Sequence, residues 1–262
     1  MKGSQKTRGE KGSSSGIGAG AAVLFAKRGC SLALTGRDEA RLQDTEKKCL
    51  DAGLKEDMVL TVVGDITDQK TREELINRTV EKFGKINILV NNAGIFAPCL
   101  IKDIEEKDID FLFDLNVKSV VMLTRLAVPH LLKAKGNIVN ISSVASTIHL
   151  HAATLYCMTK AAIDAFTQAA ASEFGAQGIR VNSVNPGAVK TPTFSRAVGG
   201  DPDLLEKLYD AQAKFHALQR MGETDEVAET VAFLASDAAS FVSGTTLYVD
   251  GARRAMAGMT AS

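Results

Sequence analysis

The sequence predicts an α/β protein whose parallel sheet is doubly wound, with helices covering both of its faces. Short apolar runs alternate with longer helical patterns along the chain. Several of the short runs are apolar at consecutive positions, which is typical of strands buried on both faces. Repeated strand–helix units of this kind join through right-handed crossovers and build such a sheet. The length of 262 residues is sufficient for one large core.

The predicted elements follow one another without a repeat or a low-complexity segment. Strands are predicted at 31–35, 58–63, 86–90, 137–141, 179–184 and 245–249. Helices are predicted at 18–28, 39–52, 70–83, 107–133, 154–176 and 225–235. One long irregular stretch, 186–222, is predicted to be helical only at 203–217, and its part from 187 onward is predicted to be a substrate-binding loop.

Composition excludes several classes of protein. The 31 basic residues balance the 31 acidic ones, so no overall positive field favours nucleic acid or an anionic membrane. No apolar run is long enough to span a membrane, and the start shows no signal-peptide core. The four cysteines are too widely spaced for a zinc site and are interpreted as reduced thiols. We therefore expect a cytoplasmic protein with no metal.

A glycine-rich turn precedes the first predicted helix. Its glycines are Gly12, Gly16 and Gly18. Glycines allow the backbone to approach a pyrophosphate, which the N-terminus of the helix then stabilises. The spacing G-x-x-x-G-x-G differs from the G-x-G-x-x-G fingerprint, and a flexible loop that caps a helix is the alternative interpretation.

The end of the strand at 31–35 bears on the choice of nucleotide. An acidic residue at this position binds ribose hydroxyls, whereas an arginine accommodates a 2′-phosphate. Gly36 stands where the acid would be and Arg37 supplies a cation, so NADP(H) is favoured over NAD(H). The alternative is a solvated arginine in a turn, with Asp38 competing for its charge.

Two further strand ends carry polar residues. Asp65 follows the strand at 58–63, where its carboxylate accepts a bond from an adenine amino group or, alternatively, caps the next helix. Asn91, Asn92, Ala93 and Gly94 close the strand at 86–90. Ligands bind at this carboxyl edge of open α/β sheets.

Tyr156 and Lys160 are four residues apart, which places them one turn apart on the same side of the predicted helix. A free tyrosine has a pKa of about 10, and a nearby ammonium is expected to lower the pKa of Tyr156 toward neutrality. The hydroxyl of Ser143 can hold a carbonyl or alcohol oxygen against the phenol. The spacing Tyr-x-x-x-Lys also arises by chance, so these residues indicate proton transfer coupled to hydride transfer only together with the motifs around them.

Other polar positions are less specific. Asn116 is either a packing residue within a helix or part of a buried proton relay. His149 and His151 have no accompanying third ligand or nucleophile and are interpreted as lining of the cleft. After the strand at 179–184, Val189 and Thr191 are placed to meet a nicotinamide carboxamide.

Together these motifs resemble the short-chain dehydrogenase/reductase family, in its common branch of about 250 residues, from Gly12 to about Gly251. The resemblance implies a Rossmann-like fold and a homotetramer or homodimer. It implies that Tyr156 is the general acid or base, that Lys160 lowers its pKa and binds the nicotinamide ribose, that Ser143 orients the substrate oxygen, and that Asn116 holds a relay water. The cofactor-binding residues that we expect are Gly12, Ser14, Ser15, Gly16, Ile17, Gly18, Arg37, Asp65, Ile66, Asn92, Ala93, Gly94, Tyr156, Lys160, Pro186, Gly187, Val189 and Thr191.

The N-terminus departs from the family pattern. Lys11 stands where the family has threonine, and residues 4–10 contain no large apolar side chain, although a first strand would be buried on both faces. Four or five missing core side chains amount to roughly 6–15 kcal/mol, comparable to the stability of a whole domain. We therefore expect residues 1–11 to be a polar tail, from a truncated or altered family member, or a degraded first strand, and residues 12–262 to form one domain.

The function predicted from the sequence is hydride transfer between NADP(H) and a carbonyl or secondary alcohol. The candidate substrates are 3-oxoacyl, steroid, retinoid, sugar and xenobiotic carbonyls. The alternative is a catalytically impaired relative or binding module, whose nucleotide site is compromised by the unusual N-terminus.

Overall fold

A computed structural model describes residues 13–256 of the chain. Two of the expectations above, the role of Gly12 and the strand at residues 4–10, lie outside the described residues.

The described strands are all parallel and close to their predicted positions. They are β1 Leu32–Gly36, β2 Val59–Val63, β3 Ile88–Asn91, β4 Asn137–Ile141, β5 Arg180–Pro186 and β6 Thr246–Val249. β1 pairs with β2, and β3, β4, β5 and β6 pair in that order. The parallel sheet is thus confirmed, in two hydrogen-bonded groups.

The helices alternate with the strands. They are α1 Gly16–Lys27, α2 Glu39–Asp51, α3 Gln69–Phe83, α4 Glu106–Phe113, α5 Ser119–Ala134, α6 Thr154–Phe174, α7 Pro192–Ala197, α8 Pro202–Ala213 and α9 Thr224–Ala235. Two predictions were wrong in detail. The helix at 107–133 is interrupted by a π-helical turn, Asp114–Lys118, and the loop at 186–222 contains α7 in addition to α8.

Two apolar clusters, one on each face, place the sheet between layers of helices. On one face, Phe25 of α1 and Val231 of α9 pack in a cluster with Val184 of β5. On the other, Leu75 of α3 and Leu131 of α5 belong to the second cluster. Helices therefore cover both faces, and the Rossmann-like α/β fold expected from the sequence is confirmed.

The two groups of strands meet at a gap between β1 and β3. Within residues 13–256 no ladder joins these two strands. Ser13 lies at the carboxyl end of the gap, where its backbone N–H donates to the Thr35 carbonyl oxygen at 3.0 Å. A strand between β1 and β3 would join the groups into one sheet, and residues 4–10, considered above as a degraded first strand, lie outside the described residues.

No helix within residues 13–256 is both long enough and apolar enough to cross a membrane.

Candidate active site

Residues predicted to be catalytic converge at the carboxyl ends of β3 and β4. Ser143 lies just beyond β4 and begins a short 3₁₀ turn, Val144–Ser146. Tyr156 and Lys160 lie in the first two turns of α6. A hydrogen bond links Ser143 with the phenol of Tyr156. The structure therefore brings Ser143 and Tyr156 together as the sequence predicts.

Lys160 is buried, with its ammonium 5.7 Å from the centre of the Tyr156 ring. Its Nζ donates to the Ile141 carbonyl oxygen at 2.8 Å. This bond compensates part of the cost of burying the charge, because buried polar groups need partners. The lysine is thus held between the end of β4 and the ring of Tyr156.

The pKa of Tyr156 differs from the sequence expectation. Burial of the phenol raises the pKa of Tyr156 to about 12, the hydrogen bond with Ser143 lowers it in part, and Cys157 raises it further. The lowering by Lys160 that the sequence predicts is therefore not what the structure shows. At this pKa the phenol keeps its proton at neutral pH and is a weaker acid than a free tyrosine.

Asn116 lies in the π-helical turn that interrupts the predicted helix, a feature often found at functional sites. Its Oδ1 accepts from the Ile95 backbone N–H at 2.8 Å, and its Nδ2 donates to the Ile95 carbonyl oxygen at 3.0 Å and the Thr159 hydroxyl at 3.1 Å. Asn116 therefore ties the segment after β3 to α6. Both interpretations from the sequence remain open, since the side chain is fully buried and bonded, yet close to the site.

Gly94 lies beside Asn116 and Lys160, where there is little room for a side chain. A Cβ at Gly94 would lie 3.2 Å from Asn116 Oδ1 and 3.6 Å from Lys160 Nζ. Asn92 and Ala93 line a cleft at the gap between the strand groups, together with Ile66, Ser13 and Thr35. Five residues predicted to bind cofactor or act in catalysis thus surround one region, Ile66, Asn92, Ala93, Gly94 and Lys160.

The glycine-rich turn reaches the segment that follows β5. Gly16 has φ +58°, a left-handed conformation that favours glycine, and a Cβ there would lie 3.2 Å from Thr191 Cγ2. Ser15 is the N-cap of α1. Ser14 is buried against Gly36, where a Cβ would lie 2.9 Å from the Ser14 hydroxyl. The approach of Ser14 to the end of β1 therefore requires glycine at position 36.

Two other residues of this turn are part of helix α1. Gly18 is buried, and Ile17 is partly buried and packs against the cluster that α1 shares with α9. Ile17 therefore contributes to packing of the helix, and Gly18 is buried in the first turn of the helix without a side chain of its own.

Arg37 and Asp65, at the ends of β1 and β2, form an ion pair of 3.2 Å between two side chains that are each about 30% exposed. Asp65 also accepts from the backbone and the hydroxyl of Thr67. Burial raises the pKa of Asp65, but the Thr67 hydrogen bonds and Arg37 outweigh it and leave the pKa below its ordinary value. Asp38 instead pairs with Arg41 and caps α2.

Asp65 is not the N-cap of the following helix. That helix, α3, begins at Gln69 with Asp68 as its N-cap, so the alternative given above for Asp65 was wrong. Sequence reasoning also missed Arg72 of α3, which is buried and donates to the Ile66 and Thr67 carbonyl oxygens at 2.7 and 2.6 Å. The only signal in the sequence is that Arg72 lies one helical turn after the N-cap of α3, close to the residues that it contacts.

The segment after β5 is held by a second residue that sequence reasoning missed. His216 is buried; its Nε2 accepts from the Ala188 backbone N–H at 3.1 Å, and its Nδ1 lies 2.8 Å from the Gln212 carbonyl oxygen. A Cβ at Gly187 would lie 2.7 Å from His216 Nε2. Pro186 ends β5, and Val189 is buried and forms an isolated bridge with Gly222. A lone histidine carried no motif that could have identified it.

His149 and His151 are exposed in the turn before α6. Within residues 13–256 no three His, Cys, Asp or Glu side chains are grouped so as to hold a metal ion. The four cysteines are free thiols, as the sequence predicts.

Comparison with known proteins agrees with this architecture. A family model described as enoyl-(acyl carrier protein) reductase matches residues 12–252. The 3-oxoacyl-(acyl-carrier-protein) reductase of Thermotoga maritima is 35% identical over 246 residues, covering 92% of this chain and 94% of that protein. The L-xylulose reductase of Caenorhabditis elegans is 37% identical over 242 residues, covering 92% of both chains.

Solved structures give the same result. A short-chain dehydrogenase/reductase of unknown function from Caenorhabditis elegans, solved with cofactor, superposes with a TM-score of 0.87 at 36% identity and covers 92% of both chains. The fold and these relatives define an oxidoreductase of the nicotinamide-dependent class. The chain belongs to the short-chain dehydrogenase/reductase family, whose members use NAD(H) or NADP(H).

Proposed function

We propose that this protein is an NADP(H)-preferring reductase of a carbonyl group, which also oxidises the corresponding secondary alcohol. The observation that carries the proposal is the convergence of Ser143, Tyr156 and Lys160, with Asn116 on the adjoining turn. A tyrosine hydrogen-bonded to a serine beside a buried ammonium is an arrangement that can deliver a proton to a carbonyl oxygen.

Each side chain has a distinct role in the proposal. Tyr156 donates its proton to the carbonyl oxygen as negative charge develops there. Ser143 donates a hydrogen bond to the same oxygen and orients it. Lys160 supplies positive charge beside the phenol and a donor for ribose hydroxyls. Asn116 holds a water through which the proton of Tyr156 is replaced.

The residues present fit a dinucleotide that supplies the hydride. Gly16 has the left-handed backbone, φ +58°, of a tight glycine turn, and Gly94 leaves room for Asn116 beside Lys160. The N-terminus of α1 favours a pyrophosphate. Further cofactor contacts are proposed for Gly12, Ser14, Ser15, Ile17, Gly18, Ile66, Asn92, Ala93, Pro186, Gly187 and Val189.

The preference for NADP(H) rests on Arg37. Its guanidinium lies at the end of β1, where Gly36 contributes no acid, and it is paired with Asp65. A 2′-phosphate carries more charge than one carboxylate and accepts bidentate bonds from a guanidinium. Asp65 is in turn placed to accept from the adenine amino group.

The substrate is proposed to be a small carbonyl compound, with 3-oxoacyl and sugar carbonyls first among the candidates because relatives are named for such substrates. The segment 187–222, which carries α7 and α8, is proposed to cover it. We also propose one domain over residues 12–262, a cytoplasmic location and a dimer or tetramer. Exposed apolar side chains on α4, α5 and α6, namely Ile109, Val121 and Met158, support an assembly.

A catalytically impaired binding module is the second candidate. It is favoured by one observation, the polar sequence of residues 4–10, which contains no large apolar side chain where the family pattern has its first strand. Under this alternative the chain keeps the fold but holds the dinucleotide weakly.

Thermal unfolding with NADPH and with NADH, each at millimolar concentration, separates the two candidates. Specific binding raises the midpoint by an amount that grows with the logarithm of the ratio of nucleotide concentration to Kd, and a hundredfold excess over Kd contributes about 2.7 kcal/mol. We expect a larger rise with NADPH than with NADH, followed by NADPH oxidation when a 3-oxoacyl thioester or a sugar carbonyl is added. No shift with either nucleotide would refute the reductase and favour the impaired binding module, which holds the dinucleotide too weakly to be stabilised by it.

A further inference from the structure

We propose that Asn185 and Asp164 are positioning residues that fix the Ser143 hydroxyl against Tyr156. This inference rests on the proposed function and adds two residues to the site. Neither residue touches the reacting atoms in the proposed mechanism; both act through Ser143.

Asn185 lies on β5 and is completely buried. Its Nδ2 is 3.0 Å from the Ser143 carbonyl oxygen, 2.9 Å from the Ser146 hydroxyl and 2.8 Å from Asp164 Oδ2. Ser143 and Ser146 stand at the two ends of the 3₁₀ turn that follows β4. One amide nitrogen therefore spans this turn and attaches it to β5.

Asp164 fixes the orientation of that amide. It lies on α6 one turn after Lys160 and two turns after Tyr156, on the side of the helix that faces the sheet. Its second oxygen accepts from the Ser183 hydroxyl at 3.3 Å. Because a carboxylate is a stronger acceptor than a carbonyl or a hydroxyl, it holds the nitrogen of Asn185, and not the oxygen, toward the turn.

Ser143 is thereby held at two atoms. Its carbonyl oxygen accepts from Asn185, and its Oγ accepts from the Ala145 backbone N–H at 3.1 Å. Since that N–H occupies a lone pair of Oγ, the hydroxyl proton remains to be donated. The hydrogen bond with Tyr156, which lowers the pKa of the phenol, is the one that this proton makes.

The asparagine at position 185 carries a cost beside its hydrogen bonds. Its Oδ1 is buried and has no hydrogen-bond partner within the described part of the chain. Such an oxygen costs stability that an apolar side chain of similar shape would avoid. The gain that offsets this cost is the hold of Nδ2 on the turn that carries Ser143.

Asn185→Ala is the first test, with Asn182→Ala as a matched control. Asn182 lies three residues earlier on β5 and is also completely buried, but it bonds to Val242 and Thr245, away from Ser143. Both variants lose buried hydrogen bonds and some stability. Only Asn185→Ala is expected to lower kcat, by about 10- to 100-fold, with KM for NADPH unchanged.

The double variant Ser143→Ala/Asn185→Ala tests the route of the effect. If Asn185 acts through Ser143, kcat of the double variant equals that of Ser143→Ala. Additive losses, or the same loss of kcat in Asn182→Ala, would overturn the proposal.

Asp164→Ala tests the second positioning residue. Because Asp164 is half-buried, this change puts folding less at risk, and it should also lower kcat. Unchanged kcat in Asp164→Ala would likewise overturn the proposal.

A readout without turnover separates this inference from the proposed function. The chain contains three tyrosines, so the ¹³Cζ resonance of Tyr156 can be assigned by its loss in Tyr156→Phe. This resonance responds to hydrogen bonding at the phenol. It should shift in Asn185→Ala as it does in Ser143→Ala and remain unshifted in Asn182→Ala. If the protein reduces no carbonyl but shows this pattern of shifts, the proposed function is refuted and the positioning role is kept. If the resonance is unshifted in Asn185→Ala, the positioning role is refuted.

Discussion

The four strands β3–β6 and the two strands β1–β2 support different halves of the candidate site. Ser143, Asn185 and the residue that Lys160 contacts, Ile141, all stand at the ends of paired strands in the larger group. Arg37 and Asp65 stand at the ends of the smaller group, which has no ladder to β3 within residues 13–256.

Within the described residues, the two halves are held by different kinds of contact. The proton-transfer residues are fixed by side-chain bonds that cross from β4 and β5 to α6. Within residues 13–256, the nucleotide end is held by helix packing, by the contact of Ser13 with Thr35 and by the bonds of Arg72 to the turn that carries Asp65. If the strand groups are independent, variants of one group should change turnover and variants of the other should change nucleotide binding and local stability.

The largest expected effect is on turnover in the four-stranded half. Tyr156→Phe removes the proposed proton donor while keeping the ring, which packs edge-on against Phe96. We expect kcat for carbonyl reduction to fall about 10³-fold or more, equivalent to about 4 kcal/mol, because general acid catalysis is lost. NADPH binding and the unfolding midpoint should remain close to wild type.

Tyr248→Phe is the control for that variant. Tyr248 donates to the exposed Thr147 hydroxyl at 3.2 Å and has no proposed role in proton transfer. Its kcat should equal that of the wild type. Retained turnover in Tyr156→Phe would remove Tyr156 from its role.

A pair of core truncations compares the stability of the two halves. Leu42 of α2 packs with the smaller strand group and Leu131 of α5 with the other face, and both are at most 1% exposed. Each Leu→Ala change should lower the unfolding free energy of the region that it destabilises by about 2–5 kcal/mol. We expect Leu42→Ala to accelerate amide hydrogen exchange in β1 and β2 while the central strands β4 and β5 remain protected, and Leu131→Ala to lower protection throughout.

Equal loss of protection in all strands of Leu42→Ala would show that the halves unfold as one unit. Hydrogen exchange followed by mass spectrometry distinguishes the outcomes, because local opening leaves the remaining amides at their original rates.

A smaller effect is expected on nucleotide choice. Arg37→Ala removes the guanidinium proposed to bind the 2′-phosphate, so NADPH should bind about 10-fold more weakly, or about 1.4 kcal/mol, with NADH little changed. Arg41→Ala is the matched control, since Arg41 pairs with Asp38 on the exposed start of α2. Titration calorimetry with both nucleotides measures the ratio. Equal weakening of NADPH and NADH would assign Arg37 a structural role through Asp65.

The sequence predicted those parts of the site that depend on residues close together in the chain. The spacing of Tyr156 and Lys160 and the small residues after β3 are read directly from the chain, and the structure brings them together. The sequence did not reveal the π-helical turn at Asn116, because a one-residue change of helical register leaves the apolar pattern nearly intact.

It also could not give contacts made between distant segments. His216, Arg72 and Asn185 act through backbone atoms 5 to 42 residues away, which no periodicity reveals. The pKa of Tyr156 was misjudged for the same reason: spacing from Lys160 was visible in the sequence, whereas burial of the phenol, the largest cause, depends on the tertiary structure.

The smallest effect concerns His216, which attaches the segment after β5 to α8 in the four-stranded half. Burial lowers the pKa of His216 from its model-compound value of 6.5, Arg253 lowers it further, and the Gln212 carbonyl oxygen and Asp250 oppose this. The unfolded chain therefore takes up the proton first as pH falls. The stability that neutral His216 provides is complete above pH 6.5 and is lost as pH falls toward the folded pKa, with a slope of at most about 1.4 kcal/mol per pH unit.

Unfolding midpoints measured from pH 8 to pH 5 check this expectation. The wild type and His151→Gln, which changes an exposed histidine, should lose stability along the same curve. His216→Gln should be less stable at pH 8, because Ala188 loses its imidazole acceptor, but should show a shallower decline on acidification. Parallel curves for His216→Gln and wild type would show that another group takes up the proton, and that acid does not release this segment from α8 through His216.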